Sequence, residues 1–387
     1  QPDMFVVGNV VSRARLADGS PKFPLMEAIL DSGAAYTSGP QWLSEHILQG
    51  RHVLAVAGTH GKTTTTSMLA WILECAGQEP GFLVGGVPLN FGVSARLGAA
   101  RRPQPGAGPK GEAPLFVIEA DEYDTAFFDK RSKFVHYHAK TAIMNNLEYD
   151  HADIFPDLHA IETQFHHLVR TVPGIGRLVF NGDEASLQRV LARGCWSEKE
   201  SFGQDANWQL QEQADGSFDV YFNGQQEGHV AWALTGKHNR SNALAAIAAA
   251  RHVGVPMAQA CASLATFESV KRRMEVRGVV NAITVYDDFA HHPTAIATTV
   301  GGLRQKIGNA GRILAVLEPR SNTMKLGAMK DALPGSLKDA DLVFGYGSHA
   351  ALGWSLGDAL APLGKIASAY EDIDTLVAAV AAAARPG

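Results

Sequence analysis

The chain has 387 residues, of which 46% are hydrophobic and 19% charged, with a formal net charge of -5. This composition belongs to a globular protein rather than a disordered one, and the length exceeds what one core ordinarily fills, so two or three domains are expected. The acidic balance argues against nucleic acid or an anionic membrane as partner. No apolar run reaches the roughly 18 residues that span a bilayer, so no membrane insertion is expected. Cys75, Cys195 and Cys261 are odd in number and far apart. They read as reduced core residues of a cytoplasmic protein, not as a disulfide framework.

In chain order, 4–7 is an apolar strand, and 24–31 begins a helix that ends at Gly33. A short strand and a helix over 41–49 follow, closed by Gly50. Residues 53–57 form a continuous apolar run, as in a buried parallel strand, and a glycine-rich turn leads directly into a helix over 63–76. A second strand, 115–118, runs into Glu119, Asp121 and Glu122, and a third, 141–144, into Asn145 and Asn146. Polar residues at the carboxyl ends of strands separated by helices point to an open parallel sheet with its ligand at that edge. The Gly/Pro-rich, basic stretch 101–114 reads as a mobile surface insertion. Residues 208–234 alternate apolar and polar around Asp215-Gly216 and Asn223-Gly224, the pattern of an antiparallel hairpin region, and an Ala-rich helix is expected over 242–253. The strand–helix rhythm resumes near Val279 with strands at 283–286, 313–317 and 342–344, then a helix over 372–384. The expected fold class is α/β in three parts, with borders near residues 50 and 277. These are 1–50, 51–277 and 278–387. Both ends read as truncated, because the chain enters a strand at once and its final Pro-Gly turn feeds no further strand.

The strongest chemical signal is Gly58-Thr59-His60-Gly61-Lys62-Thr63-Thr64, set between a strand and a helix. Its backbone N–H groups and the helix N-terminus suit phosphate oxygens. Lys62 would reach the outer phosphates of ATP, and the Thr63 hydroxyl would hold Mg²⁺. The spacing is a short form of the common loop, since Val56 occupies the first glycine position. Glu119, ending a neighbouring strand, is a second Mg²⁺ ligand candidate, against the plainer reading of a solvated acidic loop. His151 is a candidate for a second metal ion, against that of a loop histidine among fifteen. His291 and His292 have no further ligands at a familiar spacing and do not by themselves make a metal centre.

Taken together, the 58–64 loop, Glu119 to Glu122, Asn145 to His151, His238-Asn239 with Asn242, Arg273, and Asp288-Phe289-Ala290-His291 resemble, in this order, the motifs of the Mur ligases, which build the peptide of peptidoglycan. The likeness covers nearly the whole chain beyond the first domain. It implies a UDP-binding domain, a central ATPase and a Rossmann-like domain that closes over the nucleotide. Ser38 to Leu43, Gly85 to Pro88, Phe127 to Ser132, Asp150 to Phe155 and Leu317 to Met324 resemble one branch in particular. That branch joins UDP-N-acetylmuramate to the recycled tripeptide L-Ala-γ-D-Glu-meso-diaminopimelate through an acyl phosphate, using ATP and Mg²⁺. By the same resemblance, Asn239 and Asn242 contact adenine, with Asn242 also able to open its helix as an N-cap. Arg273 faces phosphate across a hinge, and Asp288 binds ribose or holds the hinge. Arg320, helped by Ser321 and Asn322, contacts a peptide carboxylate, or else packs against the central domain as a hinge salt bridge. The family's N-terminal glycine-rich turn for the UDP pyrophosphate, its last C-terminal strand and a carbamylated lysine have no counterpart here. Three other readings stand beside this one at the level of sequence: a UDP-N-acetylmuramate–L-alanine ligase, a P-loop switch that uses nucleotide only for conformational change, and a metallohydrolase built on Asp288, His291 and His292.

Overall fold

The computed structural model describes residues 2–100 and 113–386; most of the expected insertion at 101–114 lies outside the described residues. The chain opens with β1 (Phe5–Val7), α1 (Pro24–Ser32) and β2 (Tyr36–Ser38), the two strands pairing in parallel. Pro24 occupies the first turn of α1, and Gly33 closes it in the left-handed conformation at φ 65°, as the sequence implies. The next helix starts two residues before its expected beginning, at α2 (Gly39–Leu43), where the Ser38 hydroxyl accepts from Gln41 N–H. Its second half, Ser44–Leu48, winds as a π-helix.

The central sheet is built from β3 (His52–Ala57), β4 (Gly81–Leu83), β5 (Ala95–Arg96) and β6 (Leu115–Glu119). The small hairpin β7 (Asp124–Ala126) and β8 (Asp129–Ser132) stands apart from it. It continues with β9 (Thr141–Met144), β10 (Arg177–Asn181), β11 (Glu198–Phe202) and an antiparallel meander of β12 (Trp208–Glu212), β13 (Phe218–Phe222) and β14 (Gln225–Val230). The order is β14-β13-β12-β11-β10-β9-β3-β6-β4-β5. The expected hairpin region is therefore an extension of the main sheet, turning at Asn223 and Gly224, both at positive φ. Strand β3 is central and buried on both sides, which is why it reads as an unbroken apolar run: Leu54 and Val56 enter the core on one face, Val53, Ala55 and Ala57 the core on the other. Helices α3 (Lys62–Cys75), α6 (Lys237–His252) and α7 (Met257–Leu264) cover the first face. Helices α4 (Leu158–Thr171) and α5 (Ala185–Ala192) cover the second.

Two expectations are corrected here. The Ala-rich helix begins at Lys237, so Asn242 sits in its second turn and is not an N-cap. The strand near 283 does not begin a parallel sheet. It is β16 (Ile283–Asp287), paired antiparallel with β15 (Glu275–Val280) in a hairpin of its own. The third unit's parallel sheet follows helix α8 (Pro293–Ile307) and is β17 (Leu314–Leu317), β18 (Leu342–Tyr346) and β19 (Ala367–Tyr370), over a separate core around Ile296, Leu333 and Leu356. The short helix α9 (Asn322–Lys325) follows β17. Between the central and third units, Ser269, Arg272 and Met274 all have positive φ. Such clustering of left-handed non-glycine residues marks a connection held in place by its surroundings.

Candidate functional site

Strands β9, β3 and β6 lie side by side and end at one edge, which brings the loop after β3, Glu119 and the Asn145–His151 segment together. The loop reaches α3 through Gly61, the left-handed N-cap at φ 76°; a Cβ there would stand 2.6 Å from Asn242 Oδ1. Asn242 is 6% exposed, and its Oδ1 lies 3.4 Å from Asn145 Nδ2, which also donates to Thr65 Oγ1 at 2.8 Å. The structure thus puts Asn242 beneath the phosphate loop as a brace. On the loop's other side, His60 N–H donates to Asn146 Oδ1 at 2.8 Å, and Thr59 Oγ1 accepts from Glu148 N–H at 2.9 Å.

The charged groups form a connected set. Thr63 Oγ1 donates to Glu119 Oε1 at 2.9 Å, and Gly85 N–H donates to Glu119 Oε2 at 2.6 Å. Lys62 Nζ donates to Glu122 Oε2 at 2.8 Å and lies 3.8 Å from Asp121. His151 Nε2 lies 3.3 Å from Glu122 Oε1, on a residue whose φ is 52°. Burial alone would lower Lys62, but Glu122 and then Asp121 outweigh it and hold the ammonium charged. For Glu122, burial is outweighed by Lys62 and His151, which bring its carboxyl down to about 2. Glu119 is pushed up by burial and then by Asp121. His151 is raised: burial opposes this, but the contact with Glu122 prevails.

Glu122 is the residue that sequence reasoning missed as a site member. Its signal, an acid in a run of acids after β6, does not separate it from Asp121 or Asp124; only burial does, at 1% exposed.

The remaining candidates divide. Asn239 Nδ2 donates to Thr235 O at 2.7 Å. Asp288 takes backbone N–H groups of Met274 and Ala290 at 2.9 and 2.8 Å, tying the two strands' outer ends across the interdomain connection. Arg273 lies with its guanidinium 5.5 Å from the Phe289 ring centre. Ser321 caps α9, accepting from Met324 N–H, and Asn322 donates to Asp153 Oδ2 at 2.8 Å. Arg320 projects into solvent with its side chain 77% exposed, 3.8 Å from Glu318, so the hinge salt bridge to the central domain is not what the structure holds. Thr323, not singled out as a site residue, is 3% exposed and donates to Asp150 Oδ1 at 2.7 Å, docking the third unit beside His151.

Residues 56–250 match the Mur ligase middle domain, and residues 272–387 match the description "Mur ligase, glutamate ligase domain". The chain belongs to the Mur ligase family. Among relatives of this Mur ligase, it is 51% identical to the UDP-N-acetylmuramate–L-alanyl-gamma-D-glutamyl-meso-2,6-diaminoheptandioate ligase of Escherichia coli K12, over 100% of this chain and 80% of that protein. It resembles the crystal structure of the UDP-N-acetylmuramate:L-alanyl-gamma-D-glutamyl-meso-diaminopimelate ligase from Neisseria meningitides, with 60% identity and a TM-score of 0.63, over 70% of this chain and 80% of that one. It also resembles the murein peptide ligase structure from Psychrobacter arcticus 273-4, with 44% identity and a TM-score of 0.73, over 100% and 81%. Among the described residues, no helix is long and apolar enough to cross a membrane.

Proposed function

We propose that this chain is an ATP-dependent ligase that joins UDP-N-acetylmuramate to the tripeptide L-Ala-γ-D-Glu-meso-diaminopimelate, in the recycling of cell-wall peptide. The observation that carries the reading is the 51% identity, over the full length of this chain, to a protein named for that reaction. The braced phosphate loop and the Thr63–Glu119 pair are the parts such chemistry requires. The lactyl carboxylate attacks the γ-phosphorus of ATP, the bond to ADP breaks, and an acyl phosphate forms. The tripeptide amine then attacks the acyl carbon, loses a proton and expels phosphate. The central difficulty is bringing a carboxylate to a polyanion: like charges about 4 Å apart repel by roughly 4 kcal/mol at an effective dielectric near 20. Lys62 counters that repulsion from within the loop, and the loop's N–H groups and the start of α3 hold the phosphates.

The residues also fit a divalent cation. Glu119 is half-buried beside Asp121, and burial and then Asp121 push its carboxyl up. A carboxylate so placed is short of positive charge. Thr63 and Glu119 would hold Mg²⁺, and His151 a second ion; when bound, these supply further neutralisation of the phosphates. We assign Asn239 to the adenine, Arg273 to the phosphates on domain closure, Asp288 to holding the hinge, and Arg320 to a peptide carboxylate. Asn242 is assigned to the loop rather than to adenine. The divisions 1–50, 51–277 and 278–387 serve as the UDP, ATP and peptide domains in this reading. The test is ADP release. Turnover should require both UDP-N-acetylmuramate and tripeptide, and faster turnover with free L-alanine would overturn the assignment.

A further inference from the structure

Asp121 and Glu122 follow β6, and each meets Lys62 and one further basic side chain. Glu122 Oε2 accepts from Lys62 Nζ at 2.8 Å, while its Oε1 lies 3.3 Å from His151. Asp121 is divided in the same way. Its Oδ1 lies 3.8 Å from Lys62 Nζ, and its Oδ2 accepts from Lys133 Nζ at 3.2 Å. The side chains of Lys62, Lys133 and Asp121 are 11%, 17% and 19% exposed, so these charges meet with little water around them.

The two lysines differ in what holds them. Lys62 is the first residue of α3, and its ammonium stands beside the loop that suits phosphate. Lys133 opens the 3₁₀ turn Lys133–Tyr137. Its own N–H donates to Tyr123 O at 3.2 Å, and Phe134 N–H donates to Asp121 O at 3.3 Å. Its Nζ also donates to the Tyr123 hydroxyl at 2.8 Å and stands 4.0 Å from the centre of that ring. Backbone and side chain of Lys133 are therefore tied to one short segment, 121–123. Burial and then Asp121 push the Tyr123 hydroxyl up, so it keeps its proton and gives that hydrogen bond to Asp121. Lys133, Tyr123 and Asp121 thus close a triangle in which each group holds the other two.

The triangle matters when Lys62 turns toward phosphate. A carboxylate shielded from water and left with no cation would hold Lys62 back and repel the incoming polyanion. Asp121 is not left so, because Lys133 stays on Oδ2. We propose that Lys133 is a positioning residue for nucleotide: it is the standing counter-ion of Asp121, and so frees the Lys62 ammonium for the outer phosphates. The inference rests on reading 58–64 as a phosphate loop served by Lys62. Lys133 acts through Asp121.

The test titrates the full chain with a non-hydrolysable ATP analogue in excess Mg²⁺, by calorimetry, on a double-mutant cycle of Lys133→Met and Asp121→Asn. Methionine keeps the unbranched stem beside Tyr123 and removes the charge. Lys133→Met should raise the Kd about tenfold, a middle value for residues coupled in one ion-pair network. In the Asp121→Asn background the same substitution should change the Kd by less than about threefold, because no carboxylate remains to hold Lys62 back. If Lys133 drew nucleotide in by long-range charge, or only packed on Tyr123, the loss would persist in that background. Thermal melts check that each variant is folded. A Kd for Lys133→Met within about twofold of wild type, or a loss of equal size in both backgrounds, overturns the proposal. Lys62→Ala tests the underlying reading separately. It should weaken the analogue by at least about tenfold through the lost charge-assisted bond, and undiminished binding there would remove the phosphate-loop reading and the proposal with it.

Discussion

Glu122→Gln separates the charge of the buried carboxylate from its volume. In the structure this side chain is 1% exposed, accepts from Lys62 at 2.8 Å and lies 3.3 Å from His151. Its carboxyl is brought from an ordinary value near 4.5 to about 2. A depression of that size corresponds to about 3 kcal/mol of folding free energy at neutral pH. An independent argument agrees. Removing one partner of a buried ion pair costs roughly 3–5 kcal/mol, and Asp121, 3.8 Å from Lys62, keeps the loss at the low end. Because the folded value is depressed, this stability is fully present above about pH 4.5 and is lost as pH falls through about 2. Urea unfolding at pH 7 should therefore show the variant about 3 kcal/mol less stable, with the gap closing in acid.

Nucleotide provides the sharper readout. On the proposed reading, Lys62 turns from Glu122 toward phosphate when nucleotide binds; in the variant it has already lost that partner. A non-hydrolysable ATP analogue with Mg²⁺ should therefore stabilise the variant more than the wild type, narrowing the deficit by roughly half. A variant within about 0.5 kcal/mol of wild type at pH 7, or a deficit that nucleotide leaves untouched, would refute the reasoning.

Glu119→Gln should leave the fold intact and cut turnover by about a hundredfold or more, because a hydrogen-bonded carboxylate beside the phosphates is lost; near-normal ADP release at low Mg²⁺ would count against it. Arg320→Lys keeps the charge and removes the planar fork. The KM for tripeptide should rise about tenfold while the KM for ATP stays constant, and a parallel rise in both would assign Arg320 to domain closure instead. His252, which shares the Thr141 hydroxyl with His52, is pushed down to about 4 by burial and then by Arg177. The unfolded chain takes up that proton first, so stability present above about pH 6.5 is lost as pH falls toward 4. His252→Gln should flatten unfolding free energy over that window by about 1–2 kcal/mol, the full shift being discounted for partial exposure.

The β3–loop–α3 unit was legible because two local signals coincide there: an apolar run with no alternation, and a loop whose glycines and lysine serve one ligand. Where a single signal governs, the reading slipped. Helix α6 starts with Lys237-His238-Asn239-Arg240-Ser241, which shows no apolar period, and its N-cap is Gly236, which offers no side-chain cap. Its first turns therefore carry no sequence signal, and the apolar period begins only near Asn242, inside the helix. Strand β15 was missed for a different reason. Val276, Val279 and Val280 are more than half exposed, and the hairpin turns through Asn281 and Ala282, both at positive φ, where Ala gives no turn signal. The carboxylates after β6 look alike in sequence; their roles diverge only because the sheet edge buries Glu122 and leaves Asp121 and Asp124 partly open. Asp150 and Thr323 fall in distant stretches, and no spacing rule connects them before the two domains meet.

That meeting has a consequence for His151. Asp150 Oδ1 accepts from His151 N–H at 2.7 Å and from Thr323 Oγ1 at 2.7 Å. The first bond belongs to the left-handed turn that aims His151 at Glu122; the second comes from the third domain. Ala152 N–H returns a bond to Thr323 Oγ1 at 3.3 Å, and Asn322 holds Asp153. A backbone conformation that a non-glycine residue rarely adopts persists only when its surroundings over-determine it. Here part of that determination arrives from another domain. The orientation of His151, and through Glu122 the freedom of Lys62, is therefore coupled to whether α9 is docked. The link from the third domain to the phosphate loop thus runs through Asp150 and His151 rather than through Arg320, whose side chain is exposed.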